Sequence, residues 1–328
     1  MTSTEPMPVV ARLDAPTAST RTRLAVVSDP HVTPRAEGTA MVYHRAADRI
    51  RAALADAESR DVDAIISPGD LTKDGAPWEF EQFDRLLSEV DAPFVSVPGN
   101  HDVPKASVDE YEYGDPHESP PVSRFAERYA PDGEFPFVER IGGVDVVGLN
   151  TATMPDGSLA ETHDGAVSEA DVAWLSDALE RTQTPVVLMH HNTPRMYDQF
   201  RDLRDAAHPE MGLPPVMRDP DPLVDALTEG DASLIVTGHL HNVGVAKTDD
   251  VWEVTTPATG SFPQAYLLFD VDPTGTTVRY VSIADVEAMT EAHHARRSDG
   301  ATSMAYTSFA SIRLASLPLV DERTPRTE

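Results

Sequence analysis

Two hydrophobic patterns take turns along the chain. Short apolar runs, "LAVV" after Arg23 and "AII" after Asp63, and the mainly apolar "FVSV" after Pro93, read as buried strands. Between them the apolar residues fall three and four apart. Val42, Ala46, Ile50, Ala53, Leu54 and Ala57 share one face of a helix, and Phe80, Phe83, Leu87 and Val90 share one face of another. This order predicts two successive βαβ units, with parallel strands and right-handed crossovers. Strand "VDVVGLN" (144–150), helix "SEADVAWLSDAL" (168–179) and a strand at 185–189 continue it. In that helix Ser168 and Asp171 form a capping-box-like start, while Val172, Leu175 and Leu179 make one apolar face. "DPLVDALTEG" predicts a helix before strand "SLIVTGH". "VWEVTT", "AYLLFDV" and "TVRYVSI" predict a closing run of strands, and a polar helix follows near 284–297.

These elements predict an α/β domain over residues 23–298, preceded by a loose polar lead-in (1–22) and followed by a mobile tail (299–328). Two stretches break the regular order, 103–134 and 192–222. Their length and polarity predict irregular lids or insertions over the mouth of a site. No stretch approaches the roughly 20 apolar residues of a membrane helix, and the N-terminus lacks a signal-peptide core, which predicts a cytoplasmic protein without a membrane partner.

Five predicted strands run directly into polar clusters: Asp29 and His31 in "SDPH", Asp70 in "PGD", Asn100, His101 and Asp102 in "PGNHD", His190 and His191 in "MHH", and His239 and His241 in "GHLH". Six of the 12 histidines lie in them. Each cluster alone has an ordinary explanation as a turn or a helix cap. Ligands of open α/β sheets, however, gather outside the carboxyl ends of the strands, so all five are predicted to converge. The chain has no cysteine. Imidazoles, carboxylates and one amide oxygen suit a pair of divalent or mixed-valence ions such as Mn, Fe, Zn or Ni, with Mn and Fe favoured. Two such ions roughly 3.5–4 Å apart can activate a bridging hydroxide and neutralise the attacking and leaving oxygens of a phosphoryl centre. Asp70 is the candidate bridge. Neighbours on an extended segment point to opposite sides, so His190 and His191 are expected to part. His190 then faces the site, and His191 packs or hydrogen-bonds beneath the loop at 192–195.

Charge narrows the partners. With 55 Asp and Glu against 26 Lys and Arg, the net charge is −29, and the only lysines are Lys73, Lys105 and Lys247. Such a surface offers no basic patch to a nucleic-acid backbone. A lysine-poor acidic surface is also expected of proteins from high-salt cytoplasm, where screening weakens that exclusion.

In order and spacing these clusters resemble the motif set of the calcineurin-like metallophosphoesterases. The matches are Asp29-Pro30-His31, Gly69-Asp70, Gly99-Asn100-His101-Asp102, His190 and Gly238-His239-Leu240-His241, within about residues 23–283. The resemblance implies an α/β fold, a two-sheet sandwich flanked by helices in four layers, with a dinuclear centre at the strand ends. It implies that Asp29, His31 and His241 hold one ion, that Asn100, His190 and His239 hold the other, and that Asp70 bridges them. His101 would contact the phosphate and help protonate the leaving oxygen, with Asp102 orienting its ring. The activity implied is hydrolysis of small phosphodiesters, or of monoesters, by attack of a metal-bridging hydroxide. "GDLTKDG" and "GNHD" depart from the protein serine/threonine phosphatases, and Lys73 stands where purple acid phosphatases need a tyrosine. The form is most similar to the branch of class III cyclic nucleotide phosphodiesterases and glycerophosphodiesterases, although Asp171 stands where relatives often have glutamine.

Two other readings compete. A non-catalytic scaffold of the same fold usually loses a ligand, and here the set is complete. A DNA-repair-type nuclease needs an aromatic or basic track that the chain does not display. Among the remaining histidines, His44 and His208 are expected in solvent, and His293 and His294 on a polar helix. His117 and His163 lie in loops that approach the site, with an ordinary loop role favoured over substrate contact. Trp174 and Trp252 are expected to fill core or rim positions.

Overall fold

The computed structural model describes residues 7–34, 39–105, 117–154 and 163–323. Strands β1 (Val9–Leu13) and β2 (Thr22–Val26) precede α1 (Tyr43–Ser59), β3 (Ala64–Ser67), α2 (Pro77–Leu87) and β4 (Phe94–Ser96). After α3 (Val122–Tyr129) come β5 (Phe137–Ile141), β6 (Val144–Gly148), α4 (Glu169–Leu179) and β7 (Pro185–Leu188). Helices α5 (Pro194–Ala207) and α6 (Asp221–Glu229) lead to β8 (Leu234–Thr237), β9 (Gly244–Thr248), β10 (Val251–Thr255), β11 (Ala265–Asp272) and β12 (Gly275–Ser282). Helices α7 (Val286–Ser298) and α8 (Ala301–Ala315) and the short β13 (Val320–Asp321) close the chain. One sheet has the order β13-β1-β12-β11-β2-β3-β4 and the other β5-β6-β7-β8-β10-β9.

The apolar runs are unbroken because each central strand is buried on both faces. Val26, Ile66, Leu267 and Phe269 of the first sheet meet Val146, Val186, Leu188, Leu234 and Val236 of the second in one inter-sheet core. Alternate residues face outwards. Ala25, Ile65 and Leu268 pack with Ile50 and Leu54 of α1 and Phe80 and Phe83 of α2, and Val187 and Ile235 pack with Leu175 and Leu179 of α4 and Leu223 and Leu227 of α6. The result is the expected four layers, helix, sheet, sheet and helix. Strands β2, β3 and β4 are parallel, as are β6, β7 and β8, so the loops after them emerge on one side of each sheet. As expected, Ser168 caps α4, accepting from the Asp171 N–H at 3.1 Å.

The ends of the chain and the two excursions are more ordered than expected. Residues 9–13, inside the supposed lead-in, form β1, which pairs with β12 and β13 and buries Val10 and Leu13 in the inter-sheet core. The supposed tail contains α8, whose Ala305 and Phe309 pack on Met196 and Phe200 of α5. The 192–222 excursion therefore contains α5, a helix with one buried face. In the 103–134 excursion, α3 buries Phe125 and Tyr129 against Phe80, while residues 106–116 lie outside the described residues. In each case one apolar stripe a few residues long, set in polar sequence, is covered by an element distant along the chain. Among the described residues, no helix is long and apolar enough to cross a membrane.

Because Val10 is fully buried, Val10→Asp should lower unfolding free energy by more than about 3 kcal/mol in a urea titration, the cost of an unpaired buried charge. A midpoint equal to wild type would return residues 9–13 to the status of a loose leader.

Candidate metal centre

The nine motif residues named above come together where β2, β3, β4, β7 and β8 end. Asp29, His31, Asp70, His239 and His241 all adopt positive φ, at 48°, 45°, 53°, 68° and 52°. Left-handed backbone at non-glycine residues costs energy, and here it turns each side chain back over the strand ends. The "PGD" and "PGN" glycines meet back to back: a Cβ on Gly69 would lie 2.3 Å from the Gly99 nitrogen, and one on Gly99 would lie 2.1 Å from Asp70 Oδ1. No side chain fits between these loops.

Two groups of donors result. In the first, His31 Nε2 and His241 Nε2 are 3.1 Å apart, His241 Nε2 lies 3.1 Å from Asp29 Oδ1, and His31 Nε2 lies 3.6 Å from Asp70 Oδ2. In the second, His190 Nε2 and His239 Nδ1 both lie 3.0 Å from Asn100 Oδ1. Asp70 Oδ2 is also 3.3 Å from His190 Nε2, so this one oxygen reaches both groups. His190 Nδ1–H donates to the Pro68 carbonyl at 2.8 Å, which aims Nε2 at two oxygens, Asn100 Oδ1 and Asp70 Oδ2. His31 Nδ1 and His239 Nε2 are buried without a hydrogen-bond partner. Lone pairs of nitrogen and oxygen crowded at these distances fit divalent cations, and the donor set of imidazole, carboxylate and amide oxygen suits Mn, Fe, Zn or Ni.

The electrostatics carry the same strain. Burial lowers the basicity of His190, but the charge and hydrogen bond of Asp70 outweigh it and raise the group to about 9. His31 falls to about 4, chiefly through burial. Burial works against ionised Asp70 as well, yet His190 and His101 hold its carboxyl well below the usual range.

Two expected roles change. Asp102 does not touch the His101 ring: its carboxylate accepts the N–H groups of Leu71, Thr72 and Gly99 at 2.9–3.1 Å and the Thr72 hydroxyl at 2.8 Å. It ties the two glycine loops together, and burial followed by the charge of Asp70 raises it to about 7. The His101 ring is held instead through Nδ1–H to the Lys73 carbonyl at 2.6 Å, while its backbone N–H donates to Asp70 Oδ1 at 2.8 Å. Nor do His190 and His191 part. Strand β7 ends at Leu188, so strand alternation no longer governs them, and the ligand atoms of His190, His191 and His239 lie within 4.8 Å of one another. Both His191 nitrogens are nevertheless engaged, Nδ1 with the Thr151 hydroxyl at 2.9 Å and Nε2 with the His163 carbonyl at 3.1 Å. Its cover is the segment around 163, not the loop at 192–195.

Several contributors carry no motif. His163 joins the site through Asn100. Asn192 and Thr193, directly after the histidine pair, bond to the buried carboxylate of Glu253 on β10, which Thr237 also contacts. Arg296 of α7 is buried and donates to the carbonyls of Leu240, His241 and Phe262, locking the "GHLH" loop from behind. An arginine on a polar helix reads as surface, and nothing local in its sequence marks it. His117 bonds to the Asp74 carbonyl at 3.0 Å on the adjoining loop, and His44 makes an exposed hydrogen bond with Glu291 at 2.9 Å.

Comparison with known proteins decides the family. The profile described as calcineurin-like phosphoesterase matches residues 22–243. The chain belongs to the calcineurin-like phosphoesterases. Among curated members it is 27% identical over 217 residues to a protein named probable cyclic nucleotide phosphodiesterase from Psychrobacter sp. (strain PRwf-1), covering 64% of this chain and 56% of that protein. It is 24% identical over 215 residues to the probable glycerophosphodiester phosphodiesterase GpdQ of Arcobacter nitrofigilis, covering 64% and 66% respectively. These names belong to the branch that the motif style resembles, and the chain spans less than two thirds of each. The crystal structure of a dimetal phosphatase from Danio rerio shares this fold at a TM-score of 0.59 and 12% identity, over 80% of this chain and 97% of that one.

Replacing Arg296 by Met removes the donor from three carbonyls behind His239 and His241. Stability should fall by about 2–3 kcal/mol in urea unfolding, whereas an unchanged midpoint would show that the loop does not depend on α7.

Proposed function

We propose that the protein is a dinuclear metal-dependent phosphoesterase that hydrolyses small phosphodiesters. The observation that carries this reading is the single Asp70 oxygen within 3.6 Å of His31 Nε2 and 3.3 Å of His190 Nε2. A carboxylate oxygen shared by two imidazole groups is suited to be shared by two ions. Asp29, His31 and His241 would hold one, and Asn100, His190 and His239 the other. When bound, the ions supply Lewis-acid activation of water and neutralise charge on the phosphoryl oxygens.

The chain's own groups do the rest. With Nδ1–H fixed on the Lys73 carbonyl, His101 keeps Nε2 for exchanging a proton with the leaving oxygen. Its neighbours are the edge of the His31 ring, 4.7 Å away between centroids, and the face of His163 at 5.2 Å. Asp102 keeps the loops that carry Asp70 and His101 in register. A diester is favoured over a nucleic-acid strand because a net charge of −29 repels a polyanion far more than a singly charged small molecule. The names of both relatives point the same way. Mn and Fe are the ions this sulfur-free donor set favours, and the lysine-poor acidic surface supports a high-salt cytoplasm as the setting.

Wild-type protein stripped with chelator and assayed with bis(4-nitrophenyl) phosphate in molar KCl should regain hydrolysis on adding Mn²⁺. Asp70→Ala should lose more than about 100-fold of that turnover with its unfolding midpoint preserved. Near-wild-type turnover in the metal-replete variant would sink the reading. A second comparison separates the adjacent histidines: in excess Mn²⁺, His190→Ala should lose one of two bound ions by elemental analysis, and His191→Ala should still hold both, at reduced stability. The opposite pattern would reverse their roles.

A further inference from the structure

Asn100 poses a problem of orientation. Its amide has an oxygen, which can face a cation, and an NH₂ group, which cannot. On the side of the centre its neighbours are His190 Nε2 and His239 Nδ1, both 3.0 Å from Oδ1. As acceptors, these nitrogens would draw the NH₂ group inwards just as readily. Something outside the two donor groups has to fix which way the amide points.

His163 stands at the other end of the amide, with Nδ1 2.7 Å from Asn100 Nδ2. Its own position is set by a chain of hydrogen bonds in which each donor meets an acceptor. The His191 N–H donates to Thr151 Oγ1 at 3.3 Å, and the Thr151 hydroxyl donates to His191 Nδ1 at 2.9 Å. His191 Nε2–H then donates to the His163 carbonyl at 3.1 Å. Next along, a Cβ on Gly165 would lie 2.4 Å from His191 Cγ, so only glycine lets the segment lie this close. The segment is pinned on both flanks, by Gly165 N–H to the Val216 carbonyl at 3.1 Å and Ala166 N–H to the Thr151 carbonyl at 3.0 Å.

We propose that His163 is the positioning residue for Asn100: by accepting from Nδ2 it turns Oδ1 into the centre, and Thr151, His191 and the strap 163–166 hold it in place to do so. This rests on the phosphoesterase reading, in which Asn100 holds the second ion. It also gives the second member of the "HH" pair work at the same centre, carried out through His163.

Calorimetric titration of chelator-stripped protein with Mn²⁺ tests it. Wild type should take up two ions per chain; if it does not, the metal reading itself fails and this one with it. If wild type does, His163→Ala should weaken one of the two sites by about 10–100-fold and leave the other unchanged, with the urea midpoint of the metal-free protein as in wild type. His163→Asn, which carries an acceptor oxygen near the place of imidazole Nδ1, should recover most of the lost affinity. Wild-type affinity at both sites in His163→Ala, an equal loss at both, or failure of His163→Asn to rescue would each overturn the proposal. So would a loss that merely follows a lowered midpoint.

Discussion

The Asp70 carboxylate between His31 and His190 is the constraint on which the rest of the structure depends. All three side chains are buried, and an ionised carboxylate in such a place costs several kcal/mol unless it is paired. Pairing with one imidazole would be enough to hold a carboxylate. Here one oxygen addresses two imidazoles on different sheets, so the ends of β3 and β7 must stay in register with one another. The sandwich does this by burying the intervening strands on both faces, where a slip of one residue would turn core side chains out of both layers at once.

Holding seven electron-rich side chains together requires a frame that does not yield, and most of it is polar and buried. Asp102 ties the loops after β3 and β4, Glu253 gathers Asn192, Thr193 and Thr237, and Arg296 grips the carbonyls of Leu240, His241 and Phe262. Each binds loop backbone, or the side chains beside it, and leaves the motif side chains free to converge at the centre. The division has a physical reason. Backbone groups at the ends of strands have lost their ladder partners, and a buried loop must find others. Arg296 lies beyond the family-matched segment 22–243, so the back of the "GHLH" loop is completed by α7, from the C-terminal part of the chain.

Much of this was legible in the residues. Unbroken apolar runs announce strands buried on both faces, and a polar cluster at the end of each run announces a site, because polar side chains there have no place in the core. Asp29, His31, Asp70, Asn100, His190, His239 and His241 are brought together as those clusters predict. What could not be read depends on partners far along the chain. Strand β1 pairs with β12 and β13, and α8 covers α5, so neither has a local signature beyond a few apolar residues. Asp102 travels with the motif as though it served the neighbouring ring, but its carboxylate points back into the loops. His163 follows no motif, and the nearest signal is the glycine two residues later, where the backbone must approach His191.

The lysines bear on what the centre is built to meet. The chain carries only three, and two of them, Lys73 and Lys105, are buried beside the motif loops. Lys73 gives its carbonyl to His101, and the charge of Lys105 is, after burial, the chief influence lowering the basicity of that histidine. A composition that has nearly dispensed with lysine on its surface thus keeps it here, although burying an ammonium group is costly. Aspartate and histidine alone would make the mouth of the site as anionic as the rest of the protein. The charge of Lys105 acts on His101 against that field, while the Lys73 ammonium is paired with Asp74. Under the proposed function, the acidic exterior would disfavour long polyanions while the buried charge of Lys105 would favour a small anion at the centre.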